Sequence, residues 1–338
     1  MYTDIPFWLS LVFMLGGLAA LAWSSDVFVD GSAAIAKLLG ISPFIIGMVI
    51  IGFGTSAPEL CVSTMSGLSG HSNLSLGNAY GSCIFNIAMI LGVATLIFPL
   101  VVKPSVSFVA GPGLAAVSLF SWWVLRDGVC SRTEAFIFLG AFLVILPLYC
   151  WYDQKSKKAG DLAAPPKEDA AKPKVWLSLV KLVVGLGVLI GSSHFLVWGA
   201  VDFATFCGVS DLVIGLTIVA AGTSLPELAS AVASARRGEH EFVLGNIIGS
   251  NLFNTLAVVG LATAISPLVP TDGHPAFSHY ILTRDLPLMT ILSLSILLFG
   301  INWKHPKWPG AVQRKEAIIW IAVFVGYTLL MFYQETHG

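Results

Sequence analysis

Two glutamates stand in a repeated hexapeptide within strongly apolar surroundings, and their carboxylates are the best candidates for chemistry in this chain. Glu59 lies in the segment TSAPEL at 55–60, and Glu227 lies in TSLPEL at 223–228. A carboxylate at membrane depth costs about 2.5–3.5 kcal/mol on the insertion scale, so such a residue is functional by default. Two like charges brought together repel each other unless cations or protons join them. The pair therefore predicts a cation site.

Neutral oxygen groups accompany both glutamates at helical spacing. Thr55 precedes Glu59 by four residues, so the two share a helix face, and Thr223 stands in the same relation to Glu227. Further hydroxyl and amide groups recur in the two copies: Ser56, Asn78, Ser82 and Asn86 in the first, and Ser224, Asn246, Ser250 and Asn254 in the second. Such an all-oxygen set favours a hard cation, for example Ca²⁺ with about 6–8 oxygen ligands. For any single Ser or Asn, interhelical hydrogen bonding is an equally good interpretation.

Each glutamate follows a proline that interrupts its helix. Pro58 has no N–H to donate to the carbonyl of Gly54, and Pro226 has none for the carbonyl of Gly222. Main-chain carbonyls released at membrane depth are tolerated only where they line a cavity or meet an ion. The helix breaks therefore add main-chain oxygens to the predicted cation site.

These residues belong to a long internal repeat. Adding 168 to a residue number aligns about sixty residues without a gap, from Gly40 on Gly208 to Pro99 on Pro267. Two copies of a polar segment broken by Gly and Pro are typical of a membrane transporter with its ion site at the repeat interface. A duplicated packing motif is the alternative, because small residues also let membrane helices approach closely. Packing alone does not require two carboxylates, so the repeat favours a transporter.

The composition is that of an integral membrane protein. Of 338 residues, 56% are hydrophobic and only 11% are charged, with a mean hydropathy of +0.84, whereas soluble domains carry about 25% charged residues. Ten apolar stretches are long enough to cross a hydrocarbon core of about 30 Å as helices. They cover 7–28, 43–66, 76–102, 106–125, 133–152, 175–200, 211–235, 243–269, 283–302 and 315–334. The expected fold class is therefore all-α, with ten transmembrane helices.

The stretch 153–174 is the segment that reads as a linker. It is rich in Lys, Asp, Ala and Pro and lacks apolar periodicity. It separates a first five-helix repeat, 1–152, from a second, 175–338. Because each repeat has an odd number of spans, the second enters the membrane from the opposite side, and the two repeats are predicted to be inverted.

The distribution of Lys and Arg predicts the orientation. With ten spans, fourteen of these cations fall in loops on one side and three on the other, while Lys181 lies inside a span. The positive-inside rule places the first set, and the linker 153–174, in the cytoplasm and both termini outside the plasma (inner) membrane. Asp26 and Asp30 lie near a span end and are expected to be solvated, and Lys181 is expected to extend to the cytoplasmic interface.

The remaining features narrow the function classes. The five cysteines lack metal-ligand spacing and imply no disulfide framework, and a net charge of −1 gives no indication of nucleic-acid binding. The sequence GLSG at 67–70 superficially suggests a protease nucleophile, but it lies in a predicted loop, is not repeated and leaves the glutamates unexplained. We therefore expect a membrane transporter and not an enzyme, surrounded by the lipid bilayer and without an evident obligate protein partner.

The segments GFGTSAPEL…GNAYGSCIFN and AAGTSLPEL…GNIIGSNLFN resemble the two alpha repeats of the sodium/calcium exchanger family. The resemblance covers both repeats, the ten-span plan and the central loop, and it is strongest to the short prokaryotic members. It implies antiport of Na⁺ against Ca²⁺ by alternating access, with the first and sixth spans sliding past a fixed core. It implies no cofactor beyond the transported ions.

Carried over by motif position, the resemblance implies roles for twelve residues. Ca²⁺ would be held by Glu59, Glu227 and the main-chain carbonyls of Thr55 and Thr223. The Na⁺ sites would be completed by Ser56, Ser82, Ser224, Ser250 and the carbonyls of Gly52 and Ala220. Asn86 and Asn254 would face the central site.

Two positions depart from the family pattern. Several exchangers have Asp where this chain has Asn254, and Cys83 stands where the second repeat has Asn251. With two carboxylates, the site balances one Ca²⁺ or two Na⁺, so we expect exchange near two Na⁺ per Ca²⁺ instead of the three that the family usually implies. Freed carbonyl dipoles at the helix breaks are the feature that would favour a third Na⁺.

Alternatives of mechanism stay open at this stage. The same glutamates could titrate, so a proton-coupled calcium antiporter is the main alternative, and a channel is a further one. His194 falls in the sixth span close to the proposed gate, where it could pack between helices or titrate near neutral pH.

Overall fold

In the computed structural model, residues 7–158, 174–207, 220–270 and 275–337 are described, and most of them are helical. We number the helices α1 Phe7–Leu39, α2 Pro43–Thr55, α3 Ala57–Leu68, α4 Ser72–Ile97, α5 Val106–Leu125, α6 Arg132–Lys158, α7 Val175–Phe206, α8 Ala220–Gly222, α9 Leu225–Arg236, α10 His240–Ile265, α11 Ile281–Gly300 and α12 Arg314–His337. Two short strands, β1 Leu100–Val102 and β2 Gly310–Val312, form an antiparallel pair.

The helices agree with most of the predicted spans. In the described part of the chain, eight helices are long and apolar enough to cross a membrane, and α2 with α3 forms a ninth span bent by 44°. The predicted seventh span, 211–235, lies partly outside the described residues, which include α8 and α9 from it. The count of ten therefore stays a prediction. Helix α6 continues to Lys158, so the first residues of the predicted linker are helical, and 159–173 lie outside the described residues.

Helices α1 and α7 run antiparallel, and glycines let their backbones touch. A Cβ on Gly17 would lie 2.8 Å from the amide nitrogen of Leu196, and a Cβ on Gly185 would lie 2.7 Å from that of Phe28. Adding 168 to Gly17 gives Gly185, and adding 168 to Phe28 gives Leu196, so the repeat relates the two contacts to each other. A second pair of glycines, Gly31 and Gly199, repeats this relation further along the helices. The contacts therefore define a two-fold axis, as inverted repeats require.

The two repeats also interlock through their outer helices. Gly92 on α4 contacts Ile321 of α12, and Gly260 on α10 contacts Leu139 of α6. The fifth span of each repeat thus covers the third span of the other. Helix α10 lies deepest, and every residue from 242 to 260 is buried.

An ion-pair cluster joins the α1–α7 pair to α9. Arg237, at the end of α9, donates to Asp30 Oδ1 at 3.2 Å and to the carbonyl of Asp26 at 2.8 Å. Lys181 of α7 also pairs with Asp30. The expectation that these aspartates are simply solvated was incomplete, because a cation from another helix packs against each of them.

Candidate cation site

The site is built around two interruptions of helical structure. Helix α2 ends before Ser56, whose φ and ψ are −83° and 8°, and α3 begins immediately after it. Ser224, with φ and ψ of −93° and 10°, stands in the same way between α8 and α9. Pro58 and Pro226 are tolerated in the first turns of the new helices, where an N–H has no intrahelical partner.

The breaks place each glutamate at a helix N-terminus. Glu59 lies in the first turn of α3, and Glu227 lies in the first turn of α9. A carboxylate at this end of a helix is stabilised by the macrodipole, by about 0.3–1 kcal/mol in exposed helices. Both side chains are fully buried.

Serine hydroxyls cross between the repeats to bind these carboxylates. Ser224 Oγ donates to Glu59 Oε1 at 2.9 Å, and Ser56 Oγ donates to Glu227 Oε1 at 3.0 Å. Each helix break therefore contacts the glutamate of the other repeat. The crossing brings both carboxylates to the repeat interface, as the sequence predicted.

One oxygen of each carboxylate remains unbonded. Glu59 Oε2 and Glu227 Oε2 are buried and accept no hydrogen bond from the described part of the chain. The ion pairs among the described residues all lie elsewhere, and these residues contain no group of three or more His, Cys, Asp or Glu side chains arranged to hold a metal. As far as the structure describes the chain, the site thus consists of two carboxylates and neutral oxygens, with no side-chain cation paired to either glutamate.

Two asparagines hold the main chain at the glutamates. Asn78 Nδ2 donates to the carbonyl of Glu59 at 3.1 Å and to Ser63 Oγ at 2.9 Å. Asn246 Nδ2 donates to the carbonyl of Glu227 at 3.3 Å and to a serine hydroxyl of α9 at 3.0 Å. The sequence places these asparagines among the polar residues that recur in the two copies, but it does not show this function, because the carbonyl that each one binds lies on a different helix.

Neutral oxygens from α2 and α10 meet beside the glutamates. Ser250 Oγ donates to the carbonyl of Gly52 at 3.2 Å, and Thr55 Oγ1 lies 3.4 Å from Asn246 Oδ1. This approach requires glycine, since a Cβ on Gly52 would lie 2.8 Å from the amide nitrogen of Ser250.

The structure brings most of the predicted ligands together. Contacts connect Glu59 with Ser224, Ser224 with Ser82, Glu227 with Ser56, and Ser250 with Gly52. Asn86 and Asn254 are buried one turn beyond Ser82 and Ser250. Thr223 Oγ1 is buried and has no hydrogen-bond partner among the residues that the structure describes, and Ala220 begins α8. Binding of a cation by these residues stays a prediction.

A crevice of about 700 Å³ reaches the two helix breaks from the side of α7. Its lining includes Pro58, Thr223 and His194, and Ser193 donates to the carbonyl of Gly222 at 3.0 Å. His194 is exposed in this crevice and is not buried between helices.

An inverted-repeat membrane fold with a buried carboxylate pair at the repeat interface defines a secondary transporter. The chain matches the sequence model of the sodium/calcium exchanger protein family over residues 9–151 and 177–333. The chain belongs to this family, and it is a transporter and not an enzyme.

Individual proteins resemble the chain over nearly its whole length. CaxA from Alkalimonas amylolytica is 39% identical over 322 residues, which cover 95% of this chain and 98% of CaxA. The membrane protein MJ0091 from Methanocaldococcus jannaschii is 36% identical over 324 residues, covering 93% and 97%. A solved structure of the sodium-calcium exchanger NCX_Mj, soaked with 100 mM Na⁺ and 10 mM Sr²⁺, matches with a TM-score of 0.78 at 29% identity, covering 95% of this chain and 97% of that chain. The expected family, the helical membrane fold with two repeats and the multi-pass placement are confirmed.

Proposed function

We propose that this protein is a secondary active antiporter that exchanges Na⁺ for Ca²⁺ by alternating access. The observation that carries the proposal is the pair of buried glutamates, each with an oxygen that accepts no hydrogen bond from the described residues. Two buried negative charges without a counter-charge are strongly unfavourable in a low-dielectric interior. One Ca²⁺, or two Na⁺, would balance Glu59 and Glu227.

The neighbouring oxygens support hard cations in particular. Hydroxyls of Ser56 and Ser224 already contact the carboxylates, and Ser250 lies against the carbonyl of Gly52. We assign Ca²⁺ to the two glutamates and the main-chain carbonyls of Thr55 and Thr223. The Na⁺ sites would be completed by the hydroxyls of Ser56, Ser82, Ser224 and Ser250 and the carbonyls of Gly52 and Ala220.

The α1–α7 pair is the element that we assign to alternating access. Its two helices pack chiefly on each other, through glycines along both. Its contacts with the remainder include the ion-pair cluster with Arg237. A pair packed in this way can move as one body past the site without unpacking the core, whose centre is α10.

The charge of the site sets the proposed stoichiometry. Glu59 and Glu227 supply two negative charges, and Asn254 stands at the position where several exchangers of the family have Asp. Uncompensated charge in a buried site is costly, so both loaded states should be neutral. We infer exchange of about two Na⁺ per Ca²⁺ that is nearly electroneutral.

Proton coupling is the second candidate, and the same geometry favours it to a lesser degree. Each serine donates to one carboxylate oxygen and leaves the other oxygen free, and a proton could bind there. Two protons would neutralise the pair as two Na⁺ do.

The two candidates are separated by the gradient that drives transport. Protein reconstituted in liposomes is supplied with an outwardly directed Na⁺ gradient or with a pH gradient, and uptake of radiolabelled Ca²⁺ is measured. We expect uptake with the Na⁺ gradient alone. Glu239→Gln, which changes a glutamate of the loop between α9 and α10, serves as the control and should transport normally. Uptake driven by the pH gradient alone would establish the proton-coupled alternative instead.

We further propose an orientation in the plasma (inner) membrane, with both termini outside and residues 153–174 in the cytoplasm. The cation count of the loops supports it. This orientation places the ion-pair cluster of Asp26, Asp30, Lys181 and Arg237 at the cytoplasmic end of the α1–α7 pair.

A further inference from the structure

Four positions close to the two-fold axis form a buried cluster. Asn86 on α4 corresponds to Asn254 on α10, and Cys83 corresponds to Asn251, each pair being 168 residues apart. All four side chains are buried. A π-helical turn begins at Asn86 and another at Phe253, next to Asn254, and such turns are frequent at functional sites.

On one side of the axis, a chain of hydrogen bonds fixes an amide. Asn251 Nδ2 donates to the carbonyl of Cys83 at 3.0 Å, so the Oδ1 of Asn251 must point the other way. That Oδ1 accepts from Asn86 Nδ2 at 2.9 Å. The carbonyl end of the Asn86 amide is therefore the end left free, and its Oδ1 is buried without a partner among the described residues. A buried amide oxygen that is held in place and accepts no hydrogen bond has free lone pairs, which are what a hard cation requires of a ligand.

On the other side, the corresponding hydrogen bond is missing. By symmetry, Asn254 Nδ2 would donate to a side-chain oxygen at position 83, but Cys83 has none. The thiol lies 3.6 Å from the carbonyl of Asn251 and 3.5 Å from Thr255 Oγ1. Both Oδ1 and Nδ2 of Asn254 are buried without a partner in the described part of the chain. The thiol at position 83 accounts for the unpaired amide.

We propose that Asn251 is a positioning residue that orients Asn86 Oδ1 toward the transported cation, and that Cys83 leaves Asn254 unoriented. The central site is then asymmetric although its ligands are duplicated. Asn86 presents a fixed oxygen, whereas Asn254 must turn its amide when a cation binds. This assignment rests on the proposed function, because it requires that the site bind a cation.

The assignment is tested by Ca²⁺ binding to purified protein in lipid nanodiscs, measured by calorimetry, which does not depend on transport. Asn251→Cys frees Asn86 and should weaken Ca²⁺ binding by about tenfold, as is typical for partners of metal ligands. Cys83→Asn supplies the missing acceptor for Asn254 and should strengthen binding. Exchanging the two residues, in Cys83→Asn with Asn251→Cys, should restore an affinity close to that of the unaltered protein, because one amide is again oriented.

A background lacking the Asn86 amide distinguishes positioning from general packing. In Asn86→Ala protein, Asn251→Cys should have no further effect on the affinity, because Asn251 acts through Asn86. An equal loss in both backgrounds, or no loss in either, would overturn the assignment. If Asn251→Cys does not fold, the Ca²⁺ affinity of Cys83→Asn tests the proposal. An affinity equal to that of the unaltered protein would overturn it. Absence of Ca²⁺ binding to the unaltered protein would instead overturn the proposed function, and with it the assignment.

Discussion

At the scale of single residues, the structure pairs each glutamate with the serine of the other repeat. The sequence indicated both Glu59 and Glu227 and the adjacent Ser56 and Ser224, because their types and duplication are visible in the chain. It did not indicate that the serines cross between repeats. Spacing along one helix reports which residues share a face, but a contact across the two-fold axis depends on how the repeats assemble.

The first prediction concerns the two carboxylates. Glu59→Gln or Glu227→Gln leaves one negative charge to face a divalent ion in a low-dielectric site, where charge imbalance is costly. Each variant should abolish Ca²⁺ exchange in proteoliposomes while the protein remains folded and extractable. Glu239→Gln should retain exchange. Exchange at the normal rate in either site variant would show that the paired glutamates do not hold the ion.

At the scale of helices, the sequence predicted the spans and the breaks more completely than their contacts. The proline and glycine around Glu59 indicated the interruption, and the observed 44° bend lies there. The glycines of the α1–α7 interface carried no such signal, because Gly17 and Gly16 look alike in the sequence. Only the structure shows that Gly17 touches the opposite backbone, while a Cβ on Gly16 would meet nothing within 4 Å in the described part of the chain.

The second prediction uses this distinction on α7. A Cβ on Gly185 would lie 2.7 Å from the backbone of Phe28, whereas a Cβ on Gly187 would meet none of the described residues within 4 Å. Gly185→Ala should therefore separate α1 from α7, lower the transport rate and reduce stability by about 1–3 kcal/mol, the usual range for overpacking. Thermal unfolding and Ca²⁺ uptake provide the measurements. Gly187→Ala is the matched control, and equal effects of both substitutions would refute the close-contact explanation.

The third prediction concerns the ion-pair cluster at one end of the α1–α7 pair. The positions related by symmetry to Asp26, Asp30 and Arg237 are His194, Trp198 and Ser69, so the cluster is not duplicated at the other end. Because these side chains are about one-third to two-fifths exposed, each pair contributes only about 0.2–1 kcal/mol. Arg237→Gln should shift the balance between the two access states by up to about fivefold, toward the state open on the side of Arg237.

Accessibility of a cysteine introduced near the ion site, measured from each side of the membrane, reports this shift. Arg236→Gln is the matched control, since the neighbouring arginine forms none of the cluster's ion pairs. Accessibility that is the same in Arg237→Gln and in unaltered protein would mean that the cluster does not bias the access states.

At the scale of the whole molecule, the relation between the two repeats was predictable because the same residues recur at an offset of 168. The orientation in the membrane, in contrast, is inferred from the distribution of Lys and Arg alone. The fourth prediction is that cysteines placed in 159–173, on a background without native thiols, react only with reagents that reach the cytoplasm. Labelling in intact cells by an impermeant external reagent would reverse the proposed orientation.

The fifth prediction follows from the net charge of the site. With asparagine at 86 and 254, the site should be neutral both when it holds Ca²⁺ and when it holds Na⁺. Ca²⁺ flux in proteoliposomes should therefore change little when the membrane potential is clamped at different values. Asn254→Asp adds a third negative charge and should introduce a voltage dependence. A steep voltage dependence of the unaltered protein, equivalent to one net charge per cycle, would show that three Na⁺ move.

The interlocked outer helices have a consequence for biosynthesis. The face of α4 around Gly92 is covered by α12, which is synthesised long after α4. The first repeat therefore cannot bury this surface when its five spans have entered the bilayer, and must wait until α12 has been synthesised. Insertion and assembly are thus separate events in this chain, and the interval between them is when a quality-control protease would meet an incomplete molecule.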